Sequence, residues 1–277
     1  MTITDPGPDA TAAARGVADE AVRAYEEAFG ERLVATYLLG SLSYGGYSAA
    51  VSDIDLAVVL AERHDDDPAT FDTLGEQLRE RSPLHRKLSV FWGSLPALSR
   101  GEQDGRFPAI DRLELAERGA LLTGEEIAGK VARPGGAELL LESARFAVAV
   151  LAADEVVAEF HRPKRLLADK VWFTKAVFFP LRFGCTGAME SGRAATNDEA
   201  IAWYLGRPEA SAAPLVHLAT RVRAGEPLDP AEAEPALLAH LAPLYREYIE
   251  DETRRLREAG APEDLVAAFT SWHERLA

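Results

Sequence analysis

The sequence predicts an α+β domain built on a small mixed sheet, followed by an all-α helical bundle. Three observations carry that reading. As far as Gly124, short apolar runs of strand length alternate with helical stretches. Arg133-Pro134-Gly135-Gly136 then interrupts every periodicity. Beyond it the apolar spacing is helical throughout. The expected domains are therefore residues 1–132 and 137–277.

The elements follow in order. Residues 1–9 read as loose, and Ala10 to Phe29 as an amphipathic helix with Val17, Ala21, Tyr25 and Phe29 on one face. Gly30 ends that helix. Leu33 to Leu39 is a strand, a short helix occupies the following spacer, and 53–60 is a second strand. The acidic run before Pro68 reads as a solvated loop, and 69–81 as a helix that stops at Ser82-Pro83. Arg86 to Trp92 is a third strand, and Leu113 to Gly124 a last strand region. In the second half, Ala137 to His161 reads as one long helix, and Lys164 to Phe183 as another, bent or broken at Pro180. Asn197 is the expected N-cap of a helix that Gly206 closes. Pro208 to Ala224, Leu237 to Ala259 and Pro262 to Ala277 complete the bundle, with helix starts at Asp229-Pro230 and Pro262-Glu263.

Composition narrows the function classes. The chain has 277 residues, 47% hydrophobic and 27% charged, as globular proteins do. Its 30 Lys+Arg against 45 Asp+Glu give a net charge of −15. That field argues against a processive enzyme on nucleic acid and favours cationic small substrates. Cys185 is the only cysteine, which excludes an intrachain disulfide or a cysteine zinc cluster. No signal core or membrane-length apolar run is present, so a cytoplasmic location is expected.

The chemistry concentrates in Gly40 to Leu60, GSLSYGGYSAAVSDIDLAVVL. Asp53 and Asp55 alternate with Ile54 and Leu56, so both carboxylates face the same side of a strand, with Cα atoms about 6–7 Å apart. Two carboxylates at that reach suit one or two divalent cations. Gly40 lacks a Cβ, so backbone amides there can approach a phosphate, and the Ser41 hydroxyl can donate to it.

Gly40-Ser41, the spacer with Gly45-Gly46, and Ser52-Asp53-Ile54-Asp55-Leu56 resemble the nucleotidyltransferase superfamily that includes DNA polymerase β. The version here looks most like the aminoglycoside (3'')-adenylyltransferases. The likeness covers residues 33–125 well and the second half more loosely. It implies Mg²⁺-dependent transfer of AMP from ATP to a hydroxyl of a small, aminoglycoside-type acceptor. Asp53 and Asp55 would be the catalytic, metal-holding carboxylates, and Gly40, Ser41 and Ser52 would lie at the nucleotide. Within Arg182 to Tyr204, the resemblance implies that Arg182 and Arg193 reach its phosphates, with Lys170 and Lys175 as weaker candidates.

In these adenylyltransferases the third strand carries another carboxylate, thought to act as general base. The matching position here is Ser89, and Glu102, Asp104 and Asp111 are the acids in the loop that follows. Ser89 therefore opens two further readings: a non-catalytic or regulatory nucleotide-binding protein of the same fold, and an adenylyltransferase acting on a protein side chain. Trp92, Trp172, Trp203 and Tyr204 read first as core and second as the lining of a substrate pocket.

Overall fold

In the computed structural model, residues 8–189 and 193–276 are described. They fall into two compact units, Met1–Pro134 and Gly135–Ala277.

The first unit runs α1 (Pro8–Phe29), β1 (Leu33–Leu39), α2 (Gly40–Tyr44), β2 (Ile54–Leu60), α3 (Asp67–Glu80), β3 (Leu88–Ser94), α4 (Leu95–Arg100), α5 (Ala109–Arg118) and β4 (Ala120–Gly124). The sheet order is β3-β2-β1-β4. β1 pairs antiparallel with β2 and β4, while β2 and β3 are parallel. A parallel pair needs a crossover, and α3 supplies it.

Strand alternation sorts the apolar side chains between two cores. Ile54, Leu56, Val58 and Leu60 pack with Tyr25, Phe29 and Phe71 on one face. Ala57 and Val59 pack with Tyr37, Leu39, Phe91, Phe107 and Leu115 on the other. Cover on both faces is why β1 and β2 read as continuous apolar runs rather than as alternating ones. Asp55 belongs to the second face by the same alternation, one step beyond the apolar part of that core.

The last strand region is shorter than the sequence predicts. Residues 109–118 are helical and only 120–124 form a strand. Leu113, Glu114, Leu115, Glu117 and Arg118 are all strong helix formers, so local propensity favours helix over the strand that the apolar pattern suggests. Arg112 is buried and donates to the carbonyls of Ala132 at 2.9 Å and Gly101 at 3.1 Å, which ties α5 to the end of the unit.

The second unit is helical: α6 (Gly136–Phe146), a π-turn (Ala147–Leu151), α7 (Asp154–Glu159), α8 (Lys164–Ala168), α9 (Lys170–Ala188), α10 (Asn197–Leu205), α11 (Ala213–Arg223), α12 (Pro230–Glu258) and α13 (Glu263–Arg275). Its core includes Phe173, Val177, Leu215, Leu241, Tyr245, Phe269 and Trp272.

Three expectations change here. The long helix 137–161 is interrupted by the π-turn, whose wider coil carries Ala147, Leu151 and Ala152 into the core. The helix expected over 164–183 breaks at Asp169, not Pro180. The Asp169 carboxylate accepts the amides of Val171 and Trp172 and so starts a new helix. Pro180 rides inside α9. Its missing N–H would have bonded the carbonyl of Ala176, and the Tyr245 hydroxyl donates to that carbonyl instead, at 2.9 Å. Finally, the N-cap of α10 is Thr196 rather than Asn197. Its hydroxyl accepts from Glu199 N, and Glu199 accepts from Thr196 N, a reciprocal pair that Asn197 would not form with the acid at that spacing.

Candidate active site

The site lies in the first unit, where β1 ends and β2 and β3 begin. Leu39 pairs with Asp55, and Asp55 pairs with Ser89. Three adjacent strands thus place Leu39, Asp55 and Ser89 in a row across the second face of the sheet, with Gly40 following Leu39.

Gly40 turns the chain from β1 into α2 with φ +59, in the left-handed region. A Cβ at Gly40 would overlap the Asp55 carboxylate oxygen and stand 3.1 Å from its Cγ. Glycine is therefore required twice, by the turn and by the carboxylate pressed against it. Ser41 is nearly buried at the start of α2. Ser43 donates to the carbonyls of Gly40 at 3.0 Å and Arg118 at 3.1 Å, and the Arg118 guanidinium lies 5.7 Å from the centre of the Tyr44 ring.

Asp53 immediately precedes β2 and is half-buried. Tyr47 lies close enough to feel its charge. Burial is the main cause that pushes the Tyr47 hydroxyl up from the usual phenol range, and Asp53 adds to it. Ser52, expected at the nucleotide, also closes the spacer turn. Its hydroxyl accepts from Ser48 N at 2.9 Å and its amide donates to Ser48 O at 2.9 Å. Lys87 Nζ donates to Ala49 O at 2.7 Å and holds the same loop from the start of β3.

Among the described residues, no group of three or more His, Cys, Asp or Glu side chains is placed to hold a metal. The Asp53/Asp55 pair alone offers two hard oxygen donors. Mg²⁺ usually takes one or two carboxylates and completes its shell with substrate phosphates and water. The pair therefore fits a Mg²⁺ that arrives with a triphosphate, and does not fit a cage of protein ligands.

The Ser89 flank holds a side chain that no local sequence pattern singles out. Arg106 stacks over Phe91, 4.8 Å from the ring centre. It donates to Val90 O at 2.7 Å and to Ser89 Oγ at 3.4 Å. Its backbone is fixed by a bridge to Trp92, whose amide donates to Arg106 O at 2.8 Å. The loop acids have other work: Asp104 accepts from Ser94 N at 3.0 Å and Ser94 Oγ at 2.6 Å, and Glu102 pairs with Arg100. Asp111 lies in the first turn of α5.

The remaining candidates belong to the second unit. Arg182 donates through Nε to Ala195 O at 3.3 Å. Arg193 is exposed and ion-paired with Glu199 at 2.7 Å; residues 190–192 of this stretch lie outside the described residues. Lys170 begins α9 and Lys175 lines a cavity of about 330 Å³ within the helices. Of the aromatic candidates, Trp92 is core of the first unit, stacked on Phe71 at 4.5 Å, and Tyr204 is buried with its hydroxyl accepting from Ala212 N. Trp172 lines the helical cavity under Arg165, and Trp203 packs against Gly184.

No family model matches the chain, and no curated protein matches it. Among solved structures it is similar to the spectinomycin adenyltransferase AAD(9) from Enterococcus faecialis, crystallised with ATP and spectinomycin. The likeness has a TM-score of 0.51 at 13% identity and covers 93% of this chain and 98% of that one. At that identity it shows the fold: a nucleotidyltransferase-like α+β unit followed by a helical region. It shows the fold alone and does not single out the (3'')-adenylyltransferases.

Proposed function

We propose that this protein transfers the adenylyl group of ATP to a hydroxyl of a small acceptor. The observation that supports this most directly is the turn at Gly40, whose backbone lies against the Asp55 carboxylate, with Asp53 two residues earlier in the chain. The fold shared with an adenyltransferase that was crystallised with ATP and a small molecule supports the same reading.

The roles follow from the chemistry. Asp53 and Asp55 hold Mg²⁺, which when bound neutralises charge on the phosphates. Gly40 and Ser41 orient the triphosphate. The acceptor oxygen bonds to the α-phosphorus, the α–β anhydride bond breaks, and pyrophosphate leaves. The hydroxyl proton passes to a site carboxylate or to water. Ser89 is no base near neutral pH, and general-base help is worth about 10²–10⁴-fold. Turnover is therefore slow unless the acceptor hydroxyl is itself acidic.

Calorimetry of Mg·ATP with the wild type and with Asp53→Asn tests the seat directly. Binding by the wild type that Asp53→Asn loses, with little change in melting temperature, is the expected result. Equal binding by both would sink the assignment. Ser89 also favours a second reading, a nucleotide-binding protein without turnover. It predicts the same calorimetry but no pyrophosphate release with any acceptor.

A further inference from the structure

We propose that Arg106 makes the acceptor side of this site an anion-binding subsite, so that the acceptor carries a phosphate or carboxylate group beside its reacting hydroxyl. The proposal rests on the nucleotidyl-transfer reading and names the substrate class for it.

The geometry comes from the strand row. Asp55 occupies the middle strand, with Leu39 and Gly40 on one side of it and Ser89 on the other, each about 4.8 Å away across the sheet. Phosphoryl displacement is in line, so the attacking and leaving oxygens lie on opposite sides of phosphorus. With the triphosphate against Gly40, the acceptor enters over Ser89. The guanidinium found there is Arg106.

This arginine is placed by four consecutive residues. Asp104 clamps the backbone and hydroxyl of Ser94. Gly105 lies so close to β3 that a Cβ would come within 2.6 Å of the Trp92 ring. Phe107 is buried beside Phe91, and the Arg106 guanidinium rests on that same Phe91 ring. Two of its donors are directed to Val90 O and Ser89 Oγ, and the fork has further N–H groups for a ligand. Among the described residues no carboxylate is ion-paired with it. Covering the edge of β3 would explain the Val90 bond alone, and it does not require the charge to reach Ser89.

The overall charge of −15 points the other way, toward a cationic acceptor. Distance decides between them. Exposed charges more than about 8 Å apart are largely screened at physiological salt, whereas a guanidinium in contact with the ligand is not. The local cation therefore governs what sits over Ser89.

The test uses the full chain saturated with Mg²⁺ and the α,β-methylene analogue of ATP, which cannot transfer and which occupies the phosphate side. Three probes share one hydroxylated frame: glycerol, glycerol 3-phosphate and 3-aminopropane-1,2-diol. By calorimetry the wild type should bind glycerol 3-phosphate at least about tenfold more tightly than the other two, as a charge-assisted contact implies. Arg106→Ala should reduce that preference to about twofold while changing analogue affinity little, and Arg106→Lys should keep part of it, because a point charge lacks the fork. A wild type that does not prefer glycerol 3-phosphate overturns the proposal, as does a preference that survives in Arg106→Ala. Loss of analogue affinity in Arg106→Ala as deep as in Asp53→Asn would assign the cation to the nucleotide, and also overturns it. If Asp53→Asn binds the analogue as well as the wild type does, the transfer reading itself fails and this proposal falls with it.

Discussion

The two flanks of Asp55 are built by opposite means. On the β1 side the chain removes a side chain: Gly40 brings bare backbone against the carboxylate. On the β3 side it adds one, and Arg106 is carried in from a loop to stand over Phe91 and Ser89. The first flank is written in adjacent residues, because Gly40 directly follows the strand that pairs with Asp55. The second is held by contacts distant in sequence, the bridge between Trp92 and Arg106 and the Asp104 clamp on Ser94. On the proposed reading, such a site can keep its phosphate side while the acceptor side is rebuilt by changing one loop.

That contrast can be broken from either side. Gly40→Ala should be the most damaging single change. It forces an L side chain into the left-handed region, worth about 1–3 kcal/mol of strain, and displaces Asp55 as well. Mg·ATP binding by calorimetry should be lost and the melting temperature should fall; retention of both would show that the turn tolerates a methyl group. Gly105→Ala comes next. The methyl meets Trp92, so the loop should lift, and the preference for glycerol 3-phosphate should vanish while Mg·ATP still binds. Ser89→Glu sharpens the comparison without moving backbone. Its carboxylate pairs with Arg106, so the preference among the three probes should shift toward the amine by about tenfold or less. Any pyrophosphate release should rise with pH through the carboxylate range.

Much of the fold was legible because local and tertiary forces agree in it. Leu33–Leu39 and Ile54–Leu60 are apolar throughout since both faces of the sheet are covered. Elsewhere the apolar pattern alone was not enough. The leucines of 113–118 fit a strand's apolar pattern, yet Leu, Glu and Arg are all good helix formers, and these residues are helical. Arg106 could not be found at all, since nothing in Asp104-Gly105-Arg106-Phe107 announces which strand edge it will meet.

Pro180 is the plainest case. Local rules make it a helix breaker, yet α9 continues because Tyr245, from α12, bonds the carbonyl that the proline leaves open. Tyr245→Phe should therefore cost about 1–2 kcal/mol in chemical denaturation, more than loss of a solvent-exposed hydroxyl would. An unchanged midpoint would show that the Ala176 carbonyl is satisfied another way. This change should leave both flanks of Asp55 untouched.

Trp92 has an optical consequence. Of the four tryptophans in the chain, Trp172, Trp203 and Trp272 belong to the helical unit, and Trp92 alone belongs to the sheet. Its indole is stacked on Phe71, and its backbone amide is the group that holds the Arg106 loop. Replacing the other three by phenylalanine would leave one emitter, buried on the strand that borders the acceptor side. Its colour and its quenching by iodide would then report, in real time and without any label, whether that loop is seated or lifted when a substrate arrives.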